Sequence, residues 1–265
     1  MTPEQRYMFD LRGFLHLEKV LSDDELEKGR EATQRYIDAS DEELPPGFER
    51  DGNVRHLHGF AFDKCLETLT MHPGIWPVIM ELTNGKPRLC SGTLQVNRPG
   101  EKVIADRLHC ARDDFGWEAT RYECRDGRIY SDDFVVFPYF DDVFPGDGGV
   151  VMVPGSHKSN FKRPASAFND GDLTGELHPG VVNITPKAGD VVFMPECVTH
   201  GVLPWTPKDR IRRILVMRYR PQHKAGGLGI PEVILDRLEP EVRELTEMAH
   251  YTHVKEIAKP GRAAA

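Results

Sequence analysis

Arg107-Leu108-His109-Cys110-Ala111-Arg112-Asp113-Asp114 is the stretch from which the rest of the chain is best read. A second histidine stands far downstream in Thr199-His200-Gly201. A basic, apolar run follows it, Ile211-Arg212-Arg213-Ile214-Leu215-Val216-Met217-Arg218-Tyr219. Both stretches sit among short β-rich segments, at 89–97, 103–109, 134–140, 149–153, 181–185, 191–194 and 211–219, with Pro/Gly turns between them. Many short strands after a helical N-terminus predict a mainly β fold, a jelly roll packed by helices. A strand places alternate side chains on opposite faces, so Cys110 is expected to point away from whatever His109 faces.

Upstream, residues 12–18 read as a short extended piece between two helices. Ser22-Asp23-Asp24-Glu25 is a capping box that starts the second helix, where Leu26, Ala32 and Ile37 offer one packing face. The polar loop at 40–53 lacks periodicity and is expected to be a mobile cover. Arg55-His56-Leu57-His58 is an HxH pair, read as pocket lining or surface in preference to a second metal site. Residues 64–84 predict a helix broken at His72-Pro73. The charged segment 112–128, with Trp117 and Tyr122, reads as a long loop over the mouth of a site. A last helix is expected around 239–245. The chain is read as one domain over 1–265, with a helical part at about 1–85, a core at about 88–220 and a helical tail at about 231–260.

Composition narrows the function classes. The 265 residues carry a net charge of −8, with a pI near 5.8, which argues against a general nucleic-acid or membrane binder. No apolar run reaches the ~20 residues of a membrane span, and the N-terminus lacks the apolar stretch of a signal peptide. The five cysteines show no CxxC spacing and read as reduced thiols of a cytoplasmic protein.

Three further pieces complete a pattern. They are the N-terminal Gly13-Phe14-Leu15 with Val20-Leu21-Ser22, then Pro145-Gly146-Asp147-Gly148-Gly149 leading to Val153-Pro154-Gly155-Ser156-His157-Lys158, and Asp190-Val191-Val192-Phe193 ahead of Thr199-His200-Gly201. In this order the chain resembles the phytanoyl-CoA dioxygenase (PhyH) family of Fe(II)/2-oxoglutarate oxygenases. The resemblance implies a double-stranded β-helix (jelly roll, cupin-like) core flanked by N-terminal and C-terminal helices. It implies Fe(II), 2-oxoglutarate and O2 as cofactors, with His109 and His200 as iron ligands. Arg212 would anchor the distal carboxylate of 2-oxoglutarate, a task suited to a planar guanidinium. Arg213 is the fallback if the strand register slips by one. Gln95 and Asn97, polar residues on a central strand, are candidate cofactor contacts. His157, after Pro-Gly, is read as structural, and Asp141 and Asp142 as solvated turn residues.

Two positions depart from the family. Many relatives have Ser two residues after the second histidine, where this chain has Val202. The family's His-x-Asp carboxylate is replaced by Ala111, the pattern of iron-dependent halogenases, in which chloride occupies the vacated position. The resemblance therefore implies a halogenase acting on a small polar metabolite. Two alternatives stay open: a hydroxylase whose third ligand is Asp113 or Asp114, and a non-catalytic jelly-roll binding module. Arg50, Arg55, Arg112, Arg121 and Arg125 could meet an anion, and Trp117 or Tyr122 could stack on a flat ring. A free nucleotide is accordingly the first expectation for substrate, although the same arginines could simply pair with surface acids.

Overall fold

Two capped helices open the chain. The structure, a computed structural model, describes residues 1–100, 107–115, 120–164, 166–169, 173, 176–226 and 229–259. Helix α1 (Pro3–Arg12) begins with a reciprocal Thr2/Gln5 cap and ends at Gly13, whose φ of 82° suits a residue without a side chain. After β1 (Leu15–Leu17), helix α2 (Asp23–Asp38) starts at the expected Ser22/Glu25 box. The 40–53 segment is more ordered than its sequence implies. Phe48 is buried, and β2 (Arg50–Asp51) and β3 (Arg55–His56) form a hairpin on the edge of the main sheet. The proline break is as expected: α3 (Lys64–Thr68) gives way to a 3-10 turn at Leu69–Met71 before α4 (Trp76–Leu82).

Strand β4 (Pro87–Asn97) follows. Of the strand expected at 103–109, residues 103–106 lie outside the described residues. His109 makes only an isolated bridge, and Ala111 opens a short helix, α5 (Ala111–Phe115). The expected loop at 112–128 is replaced where described by this helix and by β5 (Tyr122–Arg125), which pairs with β6 (Arg128–Ser131). Asp126 and Gly127 both have positive φ, the geometry a tight hairpin needs. Then come β7 (Phe134–Pro138), β8 (Gly149–Met152), β9 (Val182–Asn183), β10 (Val191–Pro195), β11 (His200–Leu203) and β12 (Arg212–Pro221). Helices α6 (Glu232–Leu235) and α7 (Pro240–Thr246) close the chain.

Among the described residues these strands build a seven-stranded antiparallel sheet, β1-β10-β7-β12-β4-β3-β2. It faces a three-stranded sheet, β11-β8-β9. Side-chain alternation divides the large sheet cleanly. Val136, Phe193, Leu215, Met217 and Tyr219 point outward into a cluster with Phe9, Tyr36, Leu66, Ile79 and Leu245, so the helices of both ends cover one face. Val135, Phe137, Tyr139, Val192, Met194 and Ile214 point inward, onto Val150 and Met152 of the small sheet. Each such burial contributes ~1.5–3 kcal/mol. A slip of one residue would reverse every side chain of a strand, so the two apolar faces fix the register.

Helix α2 comes against the sheet at Gly29. A Cβ there would sit 2.4 Å from the Phe140 ring. Glycine to alanine in a helix interior normally stabilises by ~1 kcal/mol, whereas overpacking costs ~1–3 kcal/mol. Gly29→Ala should therefore lower the urea midpoint, against its helix propensity.

Candidate active site

His109 and His200 are brought together by backbone pairing. Each N–H donates to the other's carbonyl at 2.8 Å, and the ring centroids lie 4.2 Å apart. His200 is the first residue of β11, which β8 holds in register, and Leu108 packs with Val151, Val153 and Leu173. Gly201 permits the close approach, because a Cβ there would lie 2.9 Å from the Arg107 carbonyl oxygen. The His200 Nδ1 lies 2.8 Å from the Val198 carbonyl, and the His109 Nδ1 lies 3.2 Å from the Arg107 carbonyl. A carbonyl only accepts, so both rings carry their proton on Nδ1 and offer the Nε2 lone pair, as metal-binding imidazoles do. Burial, assisted by His109, lowers the His200 pKa to about 4 against the opposing charge of Glu196, which keeps the ring neutral.

Ala111 presents no carboxylate. Its N–H donates to the Glu196 carbonyl at 2.8 Å. Asp113 is committed elsewhere: one carboxylate oxygen accepts from Arg112 Nε and the other from the Arg163 N–H, both at 3.2 Å. Burial pushes its pKa up, but the Arg163 N–H and Arg112 outweigh that and hold it low. The Asp114 side chain lies outside the described residues. Among the described residues, no three His, Cys, Asp or Glu side chains gather as a metal cage.

Sequence reasoning overlooked Glu196. It is buried and forms an ion pair with Arg218 at 2.8 Å, and Arg218 also meets Asp133 at 3.1 Å. Burial would raise its pKa, yet the Arg218 charge, with His200 and His109 in support, lowers it. The available signal was an acid placed between the apolar run of β10 and His200.

Arg212 points to the inner face and is fully buried. Its Nη2 donates to Asn97 Oδ1 at 2.7 Å, whereas Nε and Nη1 have no hydrogen-bond partner among the described residues. The guanidinium carbon lies 5.8 Å from the Trp205 ring centroid. Gly149 of β8 makes room for it, since a Cβ there would stand 2.3 Å from Nη1. A buried cation with two idle donors is a fitting receptor for a carboxylate, so Arg212 suits 2-oxoglutarate, and His109 with His200 offers two imidazoles of the kind an iron would take.

Other expectations fare unevenly. Arg213 faces the helices, where Asp141 grips it at 2.7 and 2.9 Å, so it is no alternative anchor and Asp141 is no solvated turn residue. Asp142 accepts from the Ala188 N–H. Gln95 is half-buried two residues before Asn97, on the same face of β4. Arg112 is buried and bound to Asp113, so it is no exposed lid residue. Tyr122 packs on His157 and donates to Asp10 at 2.8 Å, which removes it as a stacking platform. Arg50, Arg55, Arg121 and Arg125 each meet an acid, Asp41, Asp51, Asp132 and Glu123. Trp117 lies outside the described residues. His56 is buried edge-on against Tyr36, and the buried His157 bonds to the Asp10 carbonyl through Nε2. Cys110 is fully buried.

The profile of the phytanoyl-CoA dioxygenase (PhyH) family matches residues 9–213. No curated protein matches the chain. Among solved structures, HygX from Streptomyces hygroscopicus, with nickel and 2-oxoglutarate bound, superposes with a TM-score of 0.67. It is 23% identical, over 83% of this chain and 87% of that one. The non-heme alpha ketoglutarate dependent carbocyclase SnoK from nogalamycin biosynthesis gives 0.61 at 20% identity, over 91% and 92%. The epimerase SnoN of the same biosynthesis gives 0.59 at 18% identity, over 83% of each chain. These likenesses concern the fold.

Burial lowers the pKa of both His56 and His157 to about 4. A histidine depressed on folding contributes stability that is complete above its unfolded pKa of ~6.5 and is lost as pH falls toward the folded value. Stability in urea should thus fall between pH 6.5 and 4, by on the order of 1–3 kcal/mol for each ring. His157→Gln should flatten that slope.

Proposed function

The chain belongs to the phytanoyl-CoA dioxygenase family, and from that premise we propose an Fe(II)/2-oxoglutarate-dependent enzyme with a double-stranded β-helix core, acting on a free, small polar metabolite. The observation that carries this reading is the buried Arg212 guanidinium with two unpartnered nitrogens. Iron and 2-oxoglutarate, when bound, would supply O2-dependent oxidation of an unactivated C–H bond with release of succinate and CO2. His109 and His200 would hold the metal through Nε2. Arg212 would take the distal carboxylate, its plane set by Asn97 and the Trp205 ring.

The finer proposal is halogenation. A methyl group at 111 supplies neither volume nor charge where the family has a carboxylate, and Asp113 is held by Arg112 and Arg163. Chloride matches both deficits. Hydroxylation is the second reading, favoured by one observation: the buried Glu196 carboxylate, though paired with Arg218, is near enough to His200 and His109 for both to help lower its pKa. Among the described lid arginines each already has an acid partner, which weakens the case for a nucleotide and leaves the substrate class at a small polar molecule.

Anaerobic addition of Fe(II) and 2-oxoglutarate should produce a visible charge-transfer band, lost in His200→Ala. Arg212→Gln should weaken 2-oxoglutarate by about 2–5 kcal/mol, because a buried charge pair loses one partner. Persistence of wild-type binding in both variants would sink the proposal.

Bromide separates the two readings. In a halogenase it should perturb the band and give an anomalous diffraction peak beside Ala111, and Ala111→Asp should abolish both while retaining iron. If the wild type ignores bromide and Glu196→Gln sheds iron, the hydroxylase reading stands.

A further inference from the structure

Tyr139 ends its run of chain opposite Ile214, with which it forms an isolated antiparallel bridge. Residues directly opposite share a face, and so do residues two apart on one strand. Tyr139, Ile214 and Arg212 therefore lie on the same inner surface, with Arg212 the diagonal neighbour of Tyr139. Asn97, the Cα partner of Arg212, extends that surface onto β4. Tyr139 is 1% exposed, and its hydroxyl has no hydrogen-bond partner among the described residues.

An unpaired buried hydroxyl and an unpaired buried guanidinium on one face are individually costly. Together they describe a receptor: three donors, Nε and Nη1 of Arg212 and the phenol of Tyr139, with no acceptor among the described residues to receive them. Burial pushes the Tyr139 pKa up to about 12 despite the nearby Arg212 charge, so the phenol retains its proton and can donate. The ligand that satisfies such a set is a carboxylate, which accepts at both oxygens.

We infer that Tyr139 donates a hydrogen bond to the distal carboxylate of 2-oxoglutarate beside Arg212, making it a cofactor-binding residue of this chain. The inference rests on the reading that Arg212 holds that carboxylate. It makes Tyr139 a determinant of selectivity for 2-oxo diacids over 2-oxo monoacids.

The test is Tyr139→Phe, which removes one oxygen and leaves the ring. Anaerobic titration of the Fe(II) protein, followed by the charge-transfer band, should show the 2-oxoglutarate Kd raised by about ten- to a hundredfold, the order expected for a hydrogen bond to a charged group. Binding of 2-oxobutyrate, which lacks the distal carboxylate, should be unchanged. The metal-free variant should unfold at the same urea concentration as wild type or a higher one, because an unsatisfied buried group has gone. Equal 2-oxoglutarate affinity in Tyr139→Phe, with affinity lost in Arg212→Gln or Arg212→Lys, would overturn the inference alone. Retained affinity in all three variants would overturn the reading of Arg212 with it. A destabilised apo Tyr139→Phe that binds both oxo acids equally poorly would show a merely structural hydroxyl.

Discussion

Two backbone hydrogen bonds between His109 and His200 are the constraint on which the site depends. Each contributes only ~1 kcal/mol net, so they cannot assemble the site unaided. The burial of Leu108 against Val151, Val153 and Leu173 brings the first segment to the small sheet. The β11–β8 ladder positions the second. The hydrogen bonds then fix which residue meets which. A glycine at 201 removes the side chain that would have kept the two segments apart.

The same logic of faces explains why neighbouring arginines have opposite fates. Arg213 turns to the helical side, where Asp141 meets it with both oxygens and α2 supplies the Arg30 carbonyl. That charge is closed within the protein. Arg212, one residue earlier, turns into the space between the sheets and is given, among the described residues, a single acceptor, Asn97. Compensating a buried charge completely is the ordinary solution. Leaving two donors idle beside Trp205 makes sense where the missing partner comes from outside the chain.

Much of this was legible beforehand, and for identifiable reasons. Strands β4, β7, β10 and β12 are two-sided and apolar, so periodicity and turns mark them well. The Ser22 box and Pro73 are local signals that tertiary context did not override. Misreadings came where a local pattern was read without its partners. Residues 50–53 look like loop until β3, itself on the edge of β4, pairs with them, and Tyr122 looks like a free aromatic until Asp10 takes its hydroxyl. The histidine pair and Arg212 stand out by motif and order. Glu196 and Tyr139 do not, because one is an acid in a turn and the other an aromatic in an apolar run. Only the pairing of distant strands shows what each of them meets.

The idle donors of Arg212 have a bearing on the protein's lifetime. Each unpaired buried polar group costs on the order of 1–3 kcal/mol, a cost that a carboxylate bound there would remove. A ligand that binds only the folded state adds stability by mass action, ~2.7 kcal/mol at a hundredfold excess over its Kd. Proteolysis tracks the fraction of open chains, so a shift of this size changes the rate of digestion several-fold. A carboxylate held at Arg212 would then make the folded chain harder to unfold and slower to digest, so that occupancy of the site and persistence of the protein would be linked.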